Sequence, residues 1–319
     1  QVEFFDETLR DGIQCPSVID PNIEQKLHIL NLLDAIGVHE ADISLPGAGP
    51  RAVEDCTRMV EHIRDNGLSI RPAAAARTHP NDIAPIINIS EKTGVPIEVY
   101  AFLGSSPIRM LTEGWNESKL ERLTRAAVRQ SKDAGLPFAF VTEDTVRSNP
   151  DTLRRLFNAA IEEGADRLCI CDTVGHATPD GVFNILRFAK DLITESGTDT
   201  KLDWHGHSDR GFGLVNAMYA IEAGADRIHG TILGIGERVG NTPLDLLLVN
   251  LKLLGNINND LSQLGELVDV VSQATGWELP VSYPVFGMDA FRTGTGVHAS
   301  AVIKALRTGD VLLADQIYS

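Results

Sequence analysis

Eight short apolar segments of this chain each precede a longer amphipathic segment, and the alternation continues over about 255 residues. The short segments have the length of buried strands, and the longer ones repeat apolar residues at helical spacing. Strands that alternate with helices predict a parallel sheet, and eight such units predict a closed (β/α)8 barrel, the TIM-barrel fold. The expected strands are 2–6, 40–45, 69–75, 97–103, 138–142, 167–172, 202–207 and 227–233.

The segments between these strands are expected to be helices, and several of them end in a glycine such as Gly37, Gly94 or Gly164. Glycine is the usual residue just beyond a helix end, so these positions support the count. The expected helices are 22–36, 51–66, 81–92, 117–134, 150–163, 179–195, 211–223 and 242–254. Residues 1–255 therefore form the expected catalytic barrel.

Residues 256–319 depart from the pattern. They begin with a polar linker and continue with expected helices at 261–275 and within 294–306. This tail is too short to predict an independent domain. We expect a short, mostly helical accessory segment that packs on the barrel or, more specifically, on a partner subunit.

A candidate metal site lies where two of these strands end. His205 and His207 are two residues apart on the seventh expected strand, so their side chains point to the same side. Asp11 follows the first expected strand. Two histidines and one carboxylate can bind a divalent cation on one face and leave the other face open to substrate.

Other polar residues fall at the same end of the barrel, which is where barrels of this type have their active sites. Two of them have simpler explanations: Thr173 could belong to a turn, and Arg147 could be a surface or cap residue. The residues at the strand ends are Arg10, Asp11, Asp42, Ser44, Arg77, Arg109, Glu143, Thr173, His205 and His207.

Composition limits the partners of this chain. A net charge of −16 argues against the phosphate backbone of a nucleic acid, although small anions could still bind at a local positive site. The chain has no run of about 18 apolar residues, so no transmembrane helix is expected. Four cysteines without a C-x-x-C pair favour reduced thiols in a cytoplasmic protein. The first residues resemble a strand and lack a Met, so further residues are expected to precede them.

Three motifs make a family resemblance specific. They are DETLRDG at 6–12, HGH at 205–207 and the glycine-rich GIGERVGN at 234–241. In this order they resemble the metal-dependent barrel family of 2-isopropylmalate, homocitrate and citramalate synthases and of 3-hydroxy-3-methylglutaryl-CoA lyase. The segment GVHASAVIK at 296–304 is similar to the accessory segment of the synthases, which the lyases lack. The lyases also have a cysteine in the loop after strand eight, and this chain has none there.

The resemblance implies an acyltransferase that condenses acetyl-CoA with a 2-keto acid in a metal-assisted Claisen reaction. Asp11, His205 and His207 would be the metal ligands, and Asn241 would be a weaker ligand or a supporting residue. The metal would be Mg, Mn, Zn or Co, since nitrogen and oxygen ligands admit all four.

The resemblance also implies roles for residues around the metal. Arg10 would stabilise the enolate or alkoxide oxygen, and Thr173 would hydrogen-bond the keto-acid carboxylate. His298 would be the base, donated by the partner subunit of a homodimer, although by itself it could be a surface residue at a helix start. The other expected site residues are Asp42, which stands where relatives have Glu, Glu143, Tyr100, Ser44, Arg77, Arg109 and, in the accessory segment, Tyr318.

The sequence favours one keto acid without fixing it. The expected pocket wall is mostly small or apolar, which suits the branched side chain of 2-ketoisovalerate and therefore leucine biosynthesis. Arg109 is the main argument for the second carboxylate of 2-ketoglutarate, since Arg71 is expected near a strand start, far from the site. The wall residues are Ser44, Ala73, Ala75, Tyr100, Phe102 and Ser105.

Other functions remain open at this point. A homocitrate or citramalate synthase is the nearest alternative, and a hydroxyacyl-CoA lyase is the next. A metal-dependent keto-acid sensor is the alternative that is not an enzyme, but a sensor has no need of a base such as His298. Isopropylmalate synthases usually end in a leucine-sensing domain, so this chain is expected either to be truncated or to be regulated differently.

Overall fold

The computed structural model describes residues 2–317, and within them eight parallel strands close into a barrel. Each strand pairs with the next, and β1 pairs with β8 through residues such as Phe5 and His229. This confirms the (β/α)8 fold. The strands are β1 (Glu3–Asp6), β2 (Glu40–Asp42), β3 (Arg71–Arg77), β4 (Glu98–Gly104), β5 (Phe138–Glu143), β6 (Arg167–Asp172), β7 (Lys201–Gly206) and β8 (Arg227–Gly230).

Helices follow the strands along the chain, as the alternation predicts. No helix of the described chain is both long and apolar enough to cross a membrane. The helices are α1 (Ile23–Ala35), α2 (Pro50–Asp65), α3 (Pro80–Thr93), α4 (Pro107–Glu113), α5 (Glu117–Asp133), α6 (Pro150–Glu162), α7 (Pro179–Ser196), α8 (Gly213–Glu222), α9 (Leu244–Leu253), α10 (Leu264–Thr275), α11 (Gly296–Arg307) and α12 (Val311–Gln316).

The structure differs from the expected elements in several places, and one of them is the unpredicted helix α12 near the end of the described chain. β2 and β8 end at Asp42 and Gly230, three residues earlier than expected, because a short 3-10 turn follows each of them shortly afterwards. The short helix α4 was not predicted. It has only seven residues and buries none of them, and its apolar side chains Ile108 and Leu111 are exposed, although Ser106 caps it and a proline begins it.

Two compact units divide the chain, the first ending at Gly276 and the second beginning at Trp277. The first unit includes α10, which contacts α1, and the N–H of Ile19 donates to the carbonyl of Thr275 at 2.8 Å. The barrel unit thus extends beyond the expected end at 255. The second unit contains α11 and α12.

A buried ion-pair network fills the barrel interior at the amino-terminal ends of the strands. Arg227 on β8 is fully buried and contacts Asp203 at 2.6 Å, Glu40 at 2.6 Å and Glu98 at 2.7 Å. Burial alone would raise the pKa of Asp203, but Arg227 and Arg167 together lower it below its ordinary value. One guanidinium therefore compensates carboxylates from three strands at the centre of the barrel.

We expect Arg227→Met to lower the free energy of unfolding by about 3–5 kcal/mol at pH 7, because it removes the buried cation that three carboxylates share and leaves them only the more peripheral Arg71 and Arg167. Burial already raises the pKa of Glu98 to about 8, and loss of Arg227 should move the pKa values of Glu98 and Asp203 further upward, because this cation favours their charged forms. The folded variant then binds more protons than the unfolded chain, so its stability should rise from pH 7 to pH 5. Urea unfolding at both pH values measures this.

Arg155→Met is the matched control. Arg155 is exposed on α6 and pairs with Glu121 at 2.7 Å. Its loss should cost less than about 1 kcal/mol. A deficit of equal size at both pH values in Arg227→Met would contradict the electrostatic explanation.

Candidate active site

The end of β7 presents two histidines because Gly206 stands between them. Trp204 and Gly206 lie on the opposite face of the strand from His205 and His207. A Cβ atom at Gly206 would come within 2.9 Å of the Trp204 indole nitrogen, so a side chain there would displace a fully buried ring. The strand therefore stays regular up to the second histidine, and both imidazoles reach the same cavity.

Asp11 meets these two histidines at the carboxyl end of the barrel. The Nε2 atoms of His205 and His207 are 3.2 Å apart, and they lie 3.5 and 3.6 Å from Asp11 Oδ2. All three residues are buried, and Asp11 Oδ2 has no hydrogen-bond partner within the described chain. Three converging ligand atoms, one of them an unpartnered carboxylate oxygen, fit a divalent metal ion.

Two further observations support this fit. Burial, followed by the neighbouring His205, lowers the pKa of His207 to about 4, so this imidazole is neutral at pH 7, as a metal ligand must be. The backbone of Asn241 pairs with that of His207 in an isolated antiparallel β-bridge. The Asn241 side chain donates from Nδ2 to the carbonyl of Ile235 at 3.2 Å. Its Oδ1 is buried without a partner, so this oxygen remains available to a ligand.

Glu7 supports the triad from behind, a role that sequence reasoning missed. Its Oε1 lies 3.2 Å from Nδ1 of His205 and 3.2 Å from Nδ1 of His229. A carboxylate beside Nδ1 favours the proton on that nitrogen and leaves Nε2 to face a metal. Burial alone would raise the pKa of Glu7, but Arg10 and His205 lower it well below its ordinary value.

Two carboxylates, Glu7 and Asp42, hold the guanidinium of Arg10 in place. Arg10 donates to Glu7, and its Nε donates to Asp42 Oδ2 at 2.8 Å. Its third nitrogen, Nη1, lies 3.5 Å from Asp11 Oδ1, and Arg10 lines the cavity. Asp42 is fully buried behind Arg10 and does not line the cavity, so in this structure it contacts Arg10 rather than the space for a substrate.

A cavity of about 250 Å³ opens in front of the three candidate ligands. Its opposite wall is largely apolar, and Tyr100 is held there by contacts of its hydroxyl with Cys169 Sγ at 3.2 Å and His229 Nδ1 at 3.3 Å. Besides Arg10, Asp11 and the two histidines, the lining residues are Gln14, Leu45, Ala75, Tyr100, Phe102, Val141, Glu143, Cys171, Thr173 and Glu237.

Several expected site residues lie elsewhere. Ser44 lines a neighbouring cavity of about 460 Å³ and donates to the carbonyl of Ala52 at 3.1 Å. Arg77 is largely exposed and pairs with Asp82 at 2.6 Å. Arg109 pairs with Glu113 and Glu143, each at 3.2 Å. None of these three lines the cavity in front of the triad.

The remaining expected residues divide between the barrel and the second unit. Ala73 and Ser105 are fully buried and do not line the cavity. His298 is exposed on α11, where its Nδ1 lies 3.2 Å from the Thr293 hydroxyl. Tyr318 lies outside the described residues.

Comparison with known proteins places this geometry in a family context. Residues 1–271 match the family described as HMGL-like. The chain is 33% identical to the 2-isopropylmalate synthase of Halothermothrix orenii over 99% of this chain and 61% of that protein. It is 32% identical to homocitrate synthase AksA of Methanocaldococcus jannaschii over 99% of this chain and 75% of that protein.

A solved structure supports the fold. The HMG-CoA lyase of Brucella melitensis matches with a TM-score of 0.69 at 17% identity, over 86% of this chain and 98% of that one. At this identity the likeness concerns the fold alone. The chain spans about three fifths of the length of the isopropylmalate synthases of Methanopyrus kandleri and Halothermothrix orenii that it matches.

We expect Glu7→Gln to weaken Mn²⁺ binding by about 10- to 100-fold, because the neutral amide no longer fixes the proton on Nδ1 of His205. Calorimetric titration of the purified chain measures this affinity directly. Glu237→Gln is the matched control, because Glu237 lines the same cavity and contacts none of the candidate metal ligands Asp11, His205 and His207. Equal Mn²⁺ affinities in the two variants would contradict the supporting role of Glu7.

Proposed function

This chain belongs to the HMGL-like family, and on that premise we propose that it condenses acetyl-CoA with a 2-keto acid. The favoured keto acid is 2-ketoisovalerate, which would give 2-isopropylmalate and free CoA, a reaction of leucine biosynthesis. The observation that carries this proposal is the candidate triad of Asp11, His205 and His207, which faces a cavity with a largely apolar opposite wall.

The residues around the cavity have separate tasks in this reaction. A divalent metal ion held by Asp11, His205 and His207 would act as a Lewis acid toward the keto-acid carbonyl. Arg10, fixed by Glu7 and Asp42, lines the cavity, and its guanidinium would stabilise the negative charge that develops on the reacting oxygen. Since Arg10 is already positioned, little reorganisation is needed when that charge appears.

The charges around the cavity favour a keto acid with an uncharged side chain. Arg109, the residue best suited to a second carboxylate, is already paired with Glu113 and Glu143. Glu143 and Glu237 themselves line the cavity, and a second carboxylate of the substrate would meet their charge. Apolar residues such as Leu45, Phe102 and Val141 suit a branched aliphatic side chain instead.

The acetyl methyl proton needs a base, and we propose His298 for this task. It lies on α11 of the second unit, and its side chain is exposed. In the proposed enzyme His298 is donated by a second copy of the chain in a homodimer. His298→Ala should then lower kcat strongly and leave the dissociation constant of the keto acid unchanged.

Release of free thiol from acetyl-CoA tests the reaction. With Mn²⁺ or Mg²⁺, 2-ketoisovalerate should exceed pyruvate, 2-ketobutyrate and 2-ketoglutarate by about tenfold or more in kcat/KM. Arg109→Met should leave this order unchanged, because Arg109 does not line the cavity.

Two outcomes would contradict the proposal. A preference for 2-ketoglutarate that is lost in Arg109→Met would indicate a homocitrate-type enzyme in which Arg109 binds the second carboxylate. Absence of thiol release with all four keto acids, from a metal-loaded chain, would reject the condensing activity.

A further inference from the structure

Two strained loop residues meet at Thr173, a lining residue of the cavity that contains the candidate metal ligands. The described chain has four residues other than glycine with positive φ, among them Asp144 at 62° and Arg238 at 55°. The backbone N–H of Asp144 contacts the Thr173 hydroxyl, and the Arg238 side chain contacts the Thr173 carbonyl. Such conformations cost free energy and persist only where the surrounding contacts impose them.

The hydroxyl of Thr173 accepts a hydrogen bond from the protein but donates none to it within residues 2–317. The backbone N–H of Asp144 donates to Thr173 Oγ1 at 2.8 Å. A threonine hydroxyl can accept hydrogen bonds and also donate one, and this contact uses an acceptor position. No residue within 2–317 accepts the hydroxyl hydrogen, and Thr173 lines the cavity. The hydroxyl is therefore left as a hydrogen-bond donor beside the candidate metal ligands.

Arg147 holds Asp144 in the conformation that this contact requires. Its Nε and Nη2 donate to the two carboxylate oxygens of Asp144, each at 2.7 Å. Two parallel charge-assisted bonds fix both the position and the orientation of a carboxylate. The ion pair with Arg147 helps to hold Asp144 at its positive φ, and this backbone conformation directs the Asp144 N–H at Thr173.

Arg238 holds the other side of Thr173. It donates to the Thr173 carbonyl, and its Nε donates to Asp209 Oδ1 at 2.8 Å. Arg238 lies in the loop after β8, Asp209 in the loop after β7 and Asp144 in the loop after β5. Contacts from two loops thus converge on one threonine that follows β6, and Asp209 of a third loop holds Arg238 in place.

We propose that Asp144, Arg147 and Arg238 are positioning residues that keep the Thr173 hydroxyl directed, as a donor, at the carboxylate of the bound keto acid. A carboxylate is an acceptor only, and it matches a hydroxyl whose acceptor side is already used by the protein. This inference rests on the proposed function, because it takes a keto acid as the ligand of the cavity. It extends that function to residues that do not touch the substrate.

A double-mutant cycle between Thr173 and Arg147 tests the inference. The readouts are the dissociation constant of 2-ketoisovalerate with the Mn²⁺-loaded full chain, measured by calorimetry, and KM and kcat from thiol release. Thr173→Val should weaken binding by about tenfold or more, since it removes a hydrogen bond to a charged group, whereas Thr173→Ser should retain most of the affinity. Arg147→Met should weaken binding by about threefold or more.

The expected result is that Arg147→Met adds nothing in the Thr173→Val background, and that both variants raise KM more than they lower kcat. Mn²⁺ affinity should be unchanged in all variants, because neither residue belongs to the candidate ligand cluster. Arg154→Met, an exposed arginine on α6 paired with Glu195 at 3.5 Å, is the matched control and should change nothing.

Three results would overturn the inference: an Arg147→Met variant with unchanged keto-acid affinity, effects of the two substitutions that multiply independently, or a wild-type chain that binds no keto acid. Failure of the proposed function has a different signature. A wild-type chain that binds 2-ketoisovalerate but releases no thiol would reject the condensation, and the binding cycle would still decide the role of Arg147.

Discussion

The contacts of the Glu7 carboxylate connect the candidate metal centre to the barrel interior, and both depend on them. The carboxylate is fully buried, and it contacts Arg10, His205 and His229 at once. A buried carboxylate is tolerated only when its charge is compensated and its oxygens are bonded. The three partners meet that requirement, and in return the carboxylate orients the arginine and one candidate metal ligand.

His229 connects this carboxylate to the network below it. Its other ring nitrogen lies 3.3 Å from Asp203, which in turn is paired with Arg227. A continuous series of buried charged and polar groups therefore runs from the candidate metal ligands to the amino-terminal end of the barrel. Since packed interiors do not deform continuously, this arrangement favours a single rigid position for the histidines of β7.

The sequence predicted the barrel well because apolar strands and amphipathic helices carry strong periodic signals. It also predicted that Asp11, His205 and His207 meet, since the carboxyl ends of barrel strands converge. Side-chain direction was less accessible: Ser44 and Arg77 lie at the carboxyl ends of strands as expected, but they bond to the neighbouring helices α2 and α3. The pairing of Glu7 with His229 was not predictable, because those residues lie 222 positions apart and His229 belongs to no motif.

The wall of the cavity is divided between two halves of the barrel. The candidate metal ligands lie at or just beyond the ends of β1, β7 and β8. The apolar lining residues Ala75, Tyr100, Val141 and Cys171 lie on β3, β4, β5 and β6. Substitutions in the second half can reshape the space for a side chain without moving a single candidate ligand. In evolutionary terms the architecture is modular: one set of strands can preserve the chemistry while the other drifts toward new substrates.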